Sequence, residues 1–252
     1  MIKSFENFTG SKIGKARLLP FKVQSVIDQI DLFELANNIY AIKVEDIKVR
    51  CYLFLRYQEF YEGFSSEIRN NRFTIDGYIK WYQDHYKNKE MFTYAYDWCG
   101  FNIPSTSIEE CLDFIVDKNE YDRIMSKIFH LLKMENDGKD FYLLGVDSLS
   151  SDLLEHEMAH GMYFTDVDYK LKMDELTKSL PSDLYKSLKN IISEFGYSEI
   201  VIDDEIQAYM STGLADKMSL ILNASDYVNQ YRMIFDKYLK KNKHPKEIKM
   251  DW

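Results

Sequence analysis

Residues 156–160 read His-Glu-Met-Ala-His, inside the stretch SSDLLEHEMAHGMYF at 150–164. On an α-helix, residues four apart project from successive turns of one side, roughly 6 Å apart along the axis. Two imidazoles so placed, His156 and His160, can bind one metal ion, at about 2.0–2.1 Å each if the ion is zinc. Glu157 falls at the flank of that face, where its carboxylate can reach a water beside the ion without becoming a ligand. Five residues thus offer two ligands and a general base for metal-assisted hydrolysis.

The helix is supported by its own pattern. Leu154, Met158, Gly161 and Met162 share an arc of about 100°, which predicts a core-facing stripe. His156, Glu157 and His160 occupy the opposite arc. The apolar run FYLLGV just upstream lies in a predicted strand over 139–147, bounded by turn residues.

A hydrolytic zinc ion takes three protein ligands and leaves one position for water. Four residues are candidates for the third. Glu205 opens a predicted helix in VIDDEIQAYMSTG (201–213) and shares a face with Ala208 and Tyr209. Ala208 would let two helices approach closely, and Tyr209 could hydrogen-bond a histidine or a substrate. Asp204 is rotated by about 100° on the same helix. Asp166 follows His160 by six residues, and Cys111 lies upstream in EECLD. The Asp-Asp-Glu cluster also has a bland reading, favourable charge at a helix N-terminus. Glu205 is the favoured ligand.

The H-E-x-x-H sequence and the strand-then-helix order of 141–164 resemble the zincins, zinc peptidases whose motif helix packs beside a sheet. The resemblance covers only residues 139–211. It implies zinc bound by His156 and His160, with Glu157 activating water. Among zincins, Asp166 stands where metzincins put their third ligand, but the glycine they carry three residues after the second histidine is Tyr163 here. Cys111 resembles the cysteine ligand of peptide deformylases, whose glycine-rich first motif is missing. The helical part after 164 is also too long for that fold. Glu205, with Ala208 and Tyr209, is similar to the gluzincin pattern, although 45 residues separate it from His160, more than in many gluzincins. The resemblance therefore implies a zinc-dependent hydrolase, first a peptidase acting on a peptide or protein. Two alternatives stay open: a binding or structural module that keeps the metal without proteolysis, and a non-proteolytic metal-dependent amidohydrolase.

The elements that must position these residues can be read from periodicity. Helical spacing runs over 20–36. IYAIKV (39–44) reads as a strand, paired through Glu45 and Asp46 with a half-buried strand over 47–57, where odd positions are apolar. A helix is expected over 74–86, opened by Thr74 as its cap. A strand and ordered loop follow at 92–105, then one or two helices over 107–134. After the 139–147 strand the spacing predicts helices to the end: 150–164, 169–179, 182–195, 203–212 and 215–241. The expected fold is α+β and zincin-like, a single domain over 1–252. Its N-terminal α+β lobe (1–148) carries a small sheet, its C-terminal lobe (149–252) is mainly helical, and the metal site lies between them. Segments 54–64 and 97–105, with Arg56, Glu59 and Asn102, read either as a substrate-binding wall or as a packed core edge. His130 reads as a core or supporting histidine, and His85 and His244 as exposed.

Composition narrows the partners. A net charge of −9 over 252 residues argues against nucleic acid, whose phosphates need a basic surface. The one basic run, KYLKKNKHPKEIKM, reads as a solvated C-terminal segment, with a polyanion contact as the rival. No stretch approaches the roughly 18 apolar residues of a membrane helix. The three cysteines (Cys51, Cys99, Cys111) are odd in number and form no CxxC pair, which suits a reducing compartment. No signal-peptide run opens the chain, so a soluble cytoplasmic protein is expected, or one exported without such a signal. The sequons NFT (7–9) and NAS (223–225) carry little weight without a secretory route.

Overall fold

A mixed sheet of five strands, in the order β3-β4-β2-β1-β5, organises the chain. The computed structural model describes residues 26–63, 65–85, 91–98, 100–149 and 152–250. The strands are β1 (Asp31–Ala36), β2 (Ile39–Lys43), β3 (Phe101–Pro104), β4 (Tyr142–Val146) and β5 (Lys243–Ile248). β2 runs parallel to β4, and the other neighbours are antiparallel. The expected α+β class holds.

Alternation along β2 assigns the two faces of the sheet. Tyr40 and Ile42 enter one core, while Ile39 and Ala41 enter the other. The first core holds α1 (Ile47–Glu62), α2 (Ile75–His85), α3 (Tyr94–Asp97), α4 (Ser105–Phe114) and α5 (Glu120–Glu135). The second holds α6 (Asp152–Thr165), α7 (Val167–Ser179), α8 (Ser182–Glu194), α9 (Ile202–Thr212), α10 (Asp216–Ser219) and α11 (Ala224–Asn242). Burying both faces explains why β4, YLLGV, is apolar at every position.

Several local expectations are corrected. Residues 47–62 form a helix, not a strand. Its side chains are buried from Val49 through Phe60 except Tyr52, so no polar face reveals the helical period. Asp46 caps this helix by accepting from the N–H of Lys48 and Val49. The polar members of α1 are buried with partners: Arg56 meets Asp122 and Asp117, each at 2.9 Å. Burial opposes the Arg56 charge, but Asp122 and Asp117 outweigh it and raise the guanidinium pKa further. Part of the helix expected over 20–36 falls on residues 20–25, outside the described residues, and 31–36 is strand β1. That strand turns into β2 at Asn37–Asn38, where Asn38 adopts φ +60°, a conformation asparagine tolerates. β2 therefore forms its hairpin with β1 and not with 47–57.

The chain is not helical to its end, because Lys243–Ile248 returns as β5 along β1. The basic segment read as a solvated tail is thus partly a sheet edge, where an exposed lysine such as Lys246 discourages further strand pairing. Thr74 caps α2 as expected, its Oγ1 accepting from Gly77 N. The segment 92–98 includes the short helix α3, and the strand begins only at Phe101. Cys51 and Cys111 are free and buried, and burial pushes the Cys111 thiol up to about 12. Cys99 and the 7–9 sequon lie outside the described residues. Among the described residues no helix is long and apolar enough to cross a membrane.

Candidate metal centre

Helix α6 is buried on two sides. Its predicted stripe, Leu154, Met158 and Met162, faces the second core. Gly161 lets it settle on β2, since a Cβ there would lie 3.0 Å from the Ile39 side chain. The opposite arc is also covered, by α9, which leaves Glu157, His160 and Glu205 buried and His156 half-buried. Buried polar groups require partners, and these meet one another.

Three donor atoms converge. His156 Nε2 and His160 Nε2 lie 3.4 Å apart. Glu205 Oε1 is 3.6 Å from His160 Nε2, and Oε2 is 3.9 Å from His156 Nε2. Ligands at about 2.0–2.1 Å around a tetrahedral zinc stand roughly 3.3–3.4 Å from one another. The observed spacings, 3.4, 3.6 and 3.9 Å, lie at or somewhat above that value. Among the described residues, this trio alone groups three such side chains within 4.8 Å.

The far sides of both rings are engaged as well. Thr212 spends its hydroxyl proton on Ala208 O at 2.8 Å, so toward His156 Nδ1, at 3.2 Å, it can only accept. That places the His156 proton on Nδ1 and leaves the Nε2 lone pair facing the centre. His160 Nδ1 lies 2.9 Å from Asp204 Oδ1. A carboxylate behind a ligating histidine orients the ring and raises its basicity. Asp204, turned away from Glu205 on the helix, therefore reaches the back of His160 and not the centre.

The other third-ligand candidates lie elsewhere. Asp166 caps α7 by accepting from the N–H of Asp168 and Tyr169. Cys111 is buried in the first core near Arg56 and Asp122. His130 is exposed on α5, a correction to the core or supporting role expected for it. His85 is exposed as expected, stacked on Trp81. Tyr209 packs its ring against His156, centroids 4.7 Å apart.

Glu157 faces a narrow cavity of about 30 Å³ lined also by Gln58, Glu62, Trp98, Asn102 and Tyr197. That is room for a water molecule or two. Tyr142 donates to Asn102 Oδ1 at 2.5 Å, which turns the Asn102 amide so that Nδ2 donates to Glu157 Oε2 at 2.8 Å. Of the three polar residues picked out from 54–64 and 97–105, only Asn102 is here. Arg56 belongs to its ion pairs, and Glu59 sits among Tyr94 and Tyr78, pushed up to about 7 by burial. Periodicity concealed Gln58, Glu62 and Tyr197, because they come from an all-round buried helix and from the segment between α8 and α9.

Gly100 closes over Glu157. A Cβ there would stand 2.7 Å from Glu157 Oε1, so Gly100→Ala is expected to displace the carboxylate. Any hydrolytic rate should fall at least tenfold, by general-base misplacement, with the melting temperature nearly unchanged. Thermal unfolding and kinetics on the same preparation check this.

Charge accumulates at the centre. Burial, with Asp204 and Glu157 adding to it, pushes Glu205 from an ordinary 4.5 to about 8. Burial also raises Glu157, and burial with Glu205 raises Glu62 well above the carboxylate range. Burial and His160 keep His156 neutral. At His160 burial acts the other way, but Asp204 and Glu205 outweigh it and hold the ring well above its usual value. Because Glu205 is raised in the folded state, the metal-free protein should lose stability as pH rises from about 4.5 to 8. A divalent ion removes that penalty by displacing the proton. The zinc-induced rise in melting temperature is therefore expected to be larger at pH 8 than at pH 6, measured by paired thermal scans with and without zinc.

Comparison with family models, curated proteins and solved structures finds no match for this chain.

Proposed function

We propose that the chain is a zinc-dependent hydrolase of gluzincin-like type, acting first on peptide bonds, with His156, His160 and Glu205 as zinc ligands. The observation that carries this reading is the convergence of two imidazole nitrogens and a carboxylate within 3.4–3.9 Å of one another. Glu205 Oε2 is buried with no hydrogen-bond partner, and two imidazoles with a carboxylate form a donor set suited to zinc. The zincin-like aspect of the fold rests on α6 lying against the sheet, with all three proposed ligands on α6 and α9 of the second layer.

Zinc, when bound, supplies Lewis acidity that polarises a carbonyl and lowers the pKa of a neighbouring water. The chain's own residues do the rest. Glu157, aimed by Asn102, takes the proton from water in the cavity. Burial raises its basicity toward that task. The same carboxyl group then passes the proton to the departing nitrogen. Tyr197 lines the cavity and stays neutral, because burial and then Glu205 push its phenol well above the usual value. It can donate a hydrogen bond to the oxygen that gains charge.

The test is elemental analysis of purified protein with hydrolysis assays on peptide libraries. About one zinc per chain is expected, with cleavage lost to a chelator and restored by zinc. No metal after zinc is supplied would sink the reading. Zinc that stabilises the fold without cleavage would favour a binding or structural module, and cleavage confined to non-peptide amides would favour an amidohydrolase.

A further inference from the structure

Hydrolysis at this centre raises a question of access. The cavity of about 30 Å³ holds a water or two, whereas pockets that take a small ligand enclose roughly 300–1,000 Å³. A peptide group that is to meet Glu157 and the ligand trio does not fit between the walls as they stand.

The walls come from both faces of the sheet, and one pair of rings joins them. Trp98 follows α3 and packs on the first core, while Tyr197 lies between α8 and α9 and packs on the second. Both are half-buried and both line the cavity. Their rings meet edge to face, with centroids 6.2 Å apart. Such a contact is an aromatic pair of ordinary strength. Nothing polar reinforces it on the tryptophan side, where Nε1 has no hydrogen-bond partner among the described residues. Behind the tyrosine the backbone has room to turn. Gly196 stands at φ +98°, a region glycine enters freely, and no described atom lies within 4 Å of the position a Cβ would take there.

We propose that the Trp98–Tyr197 contact is a gate, shut in this structure, which parts by movement of the Tyr197 segment about Gly196 to admit anything larger than water. Zinc and substrate share this route. When shut, the gate keeps bulk water from Glu157 and strengthens the electrostatic interactions around it. The gate rests on the hydrolase reading for its substrate, and on zinc binding alone for its test.

Zinc exchange tests the gate without any substrate. Zinc loss to excess chelator and zinc uptake by stripped protein are followed by stopped flow, after zinc content and melting temperature are measured for each variant. Trp98→Ala should speed loss and uptake by a common factor of at least about three, because losing one aromatic pair raises the open population by that order. The dissociation constant should not change, since Trp98 supplies no ligand. Tyr197→Ala should act in the same way, and it carries the test if Trp98→Ala does not fold. The double variant should exchange no faster than the faster single variant, because either change already breaks the one contact. Tyr197→Phe keeps the ring and should exchange zinc at the wild-type rate. Unchanged rates in the alanine variants overturn the proposal. So do rates that multiply in the double variant, or that rise only with a weakened dissociation constant, since both mark general loosening. A wild-type protein that takes up no zinc overturns gate and hydrolase together, and zinc content shows this before any rate is measured. Gated exchange with no peptide cleaved sinks the hydrolase reading and leaves the gate standing.

Discussion

Glu157→Gln is expected to abolish hydrolysis while leaving zinc and fold in place. General-base catalysis contributes roughly 10²–10⁴ in rate, and glutamine cannot accept water's proton at neutral pH. Its amide oxygen can still accept from Asn102 Nδ2, which now bonds Glu157 Oε2 at 2.8 Å, so the side chain should keep its place. Burial disfavours the charged carboxylate, so the neutral substitute removes a cost and stability should hold or rise slightly. Zinc content, melting temperature and kcat on one preparation decide the outcome. Activity that survives would place the base elsewhere. Loss of zinc would make Glu157 a ligand.

Glu205→Ala should weaken zinc binding more than any other single acidic substitution, and the ranking among neighbours is informative. Asp204 stands behind His160 at 2.9 Å, and removing a partner of that kind costs about 10–100-fold in metal affinity. Glu205→Ala should exceed that range, because it deletes a donor atom and leaves two imidazoles alone. Asp166→Ala should leave affinity unchanged and cost about 1 kcal/mol of stability, the usual loss for an N-cap. His156→Ala and His160→Ala should abolish binding. Competition titrations against a chromophoric chelator give the order. Asp166→Ala losing more zinc than Glu205→Ala would remove the gluzincin-like assignment and the cavity geometry with it.

The motif helix was legible because its information is local. Two histidines four apart and an apolar stripe at Leu154, Met158 and Met162 follow from one period, and the structure places that stripe in the core. The same holds for β2, β4 and the helices from α7 to α9, whose patterns stand out within a dozen residues. Where burial is uniform, periodicity fails. Helix α1 is apolar or paired on nearly every side, so its odd-numbered apolar residues imitate a strand. Residues 31–36 and 243–248 escape periodicity for a different reason. A strand is completed by backbone partners far away in sequence, and neither the apolar mixture of β1 nor the lysines of β5 announces the edge it joins. The centre shows the same division. Residue type and spacing singled out His156, Glu157, His160 and Glu205, but 45 residues separate His160 from Glu205, and no local rule closes that gap. The packing of α9 onto α6 brings the carboxylate to 3.6 Å from the imidazole. It also sets Asp204 and Thr212 behind the two rings. Those placements depend on which surfaces bury each other, a property of the whole chain.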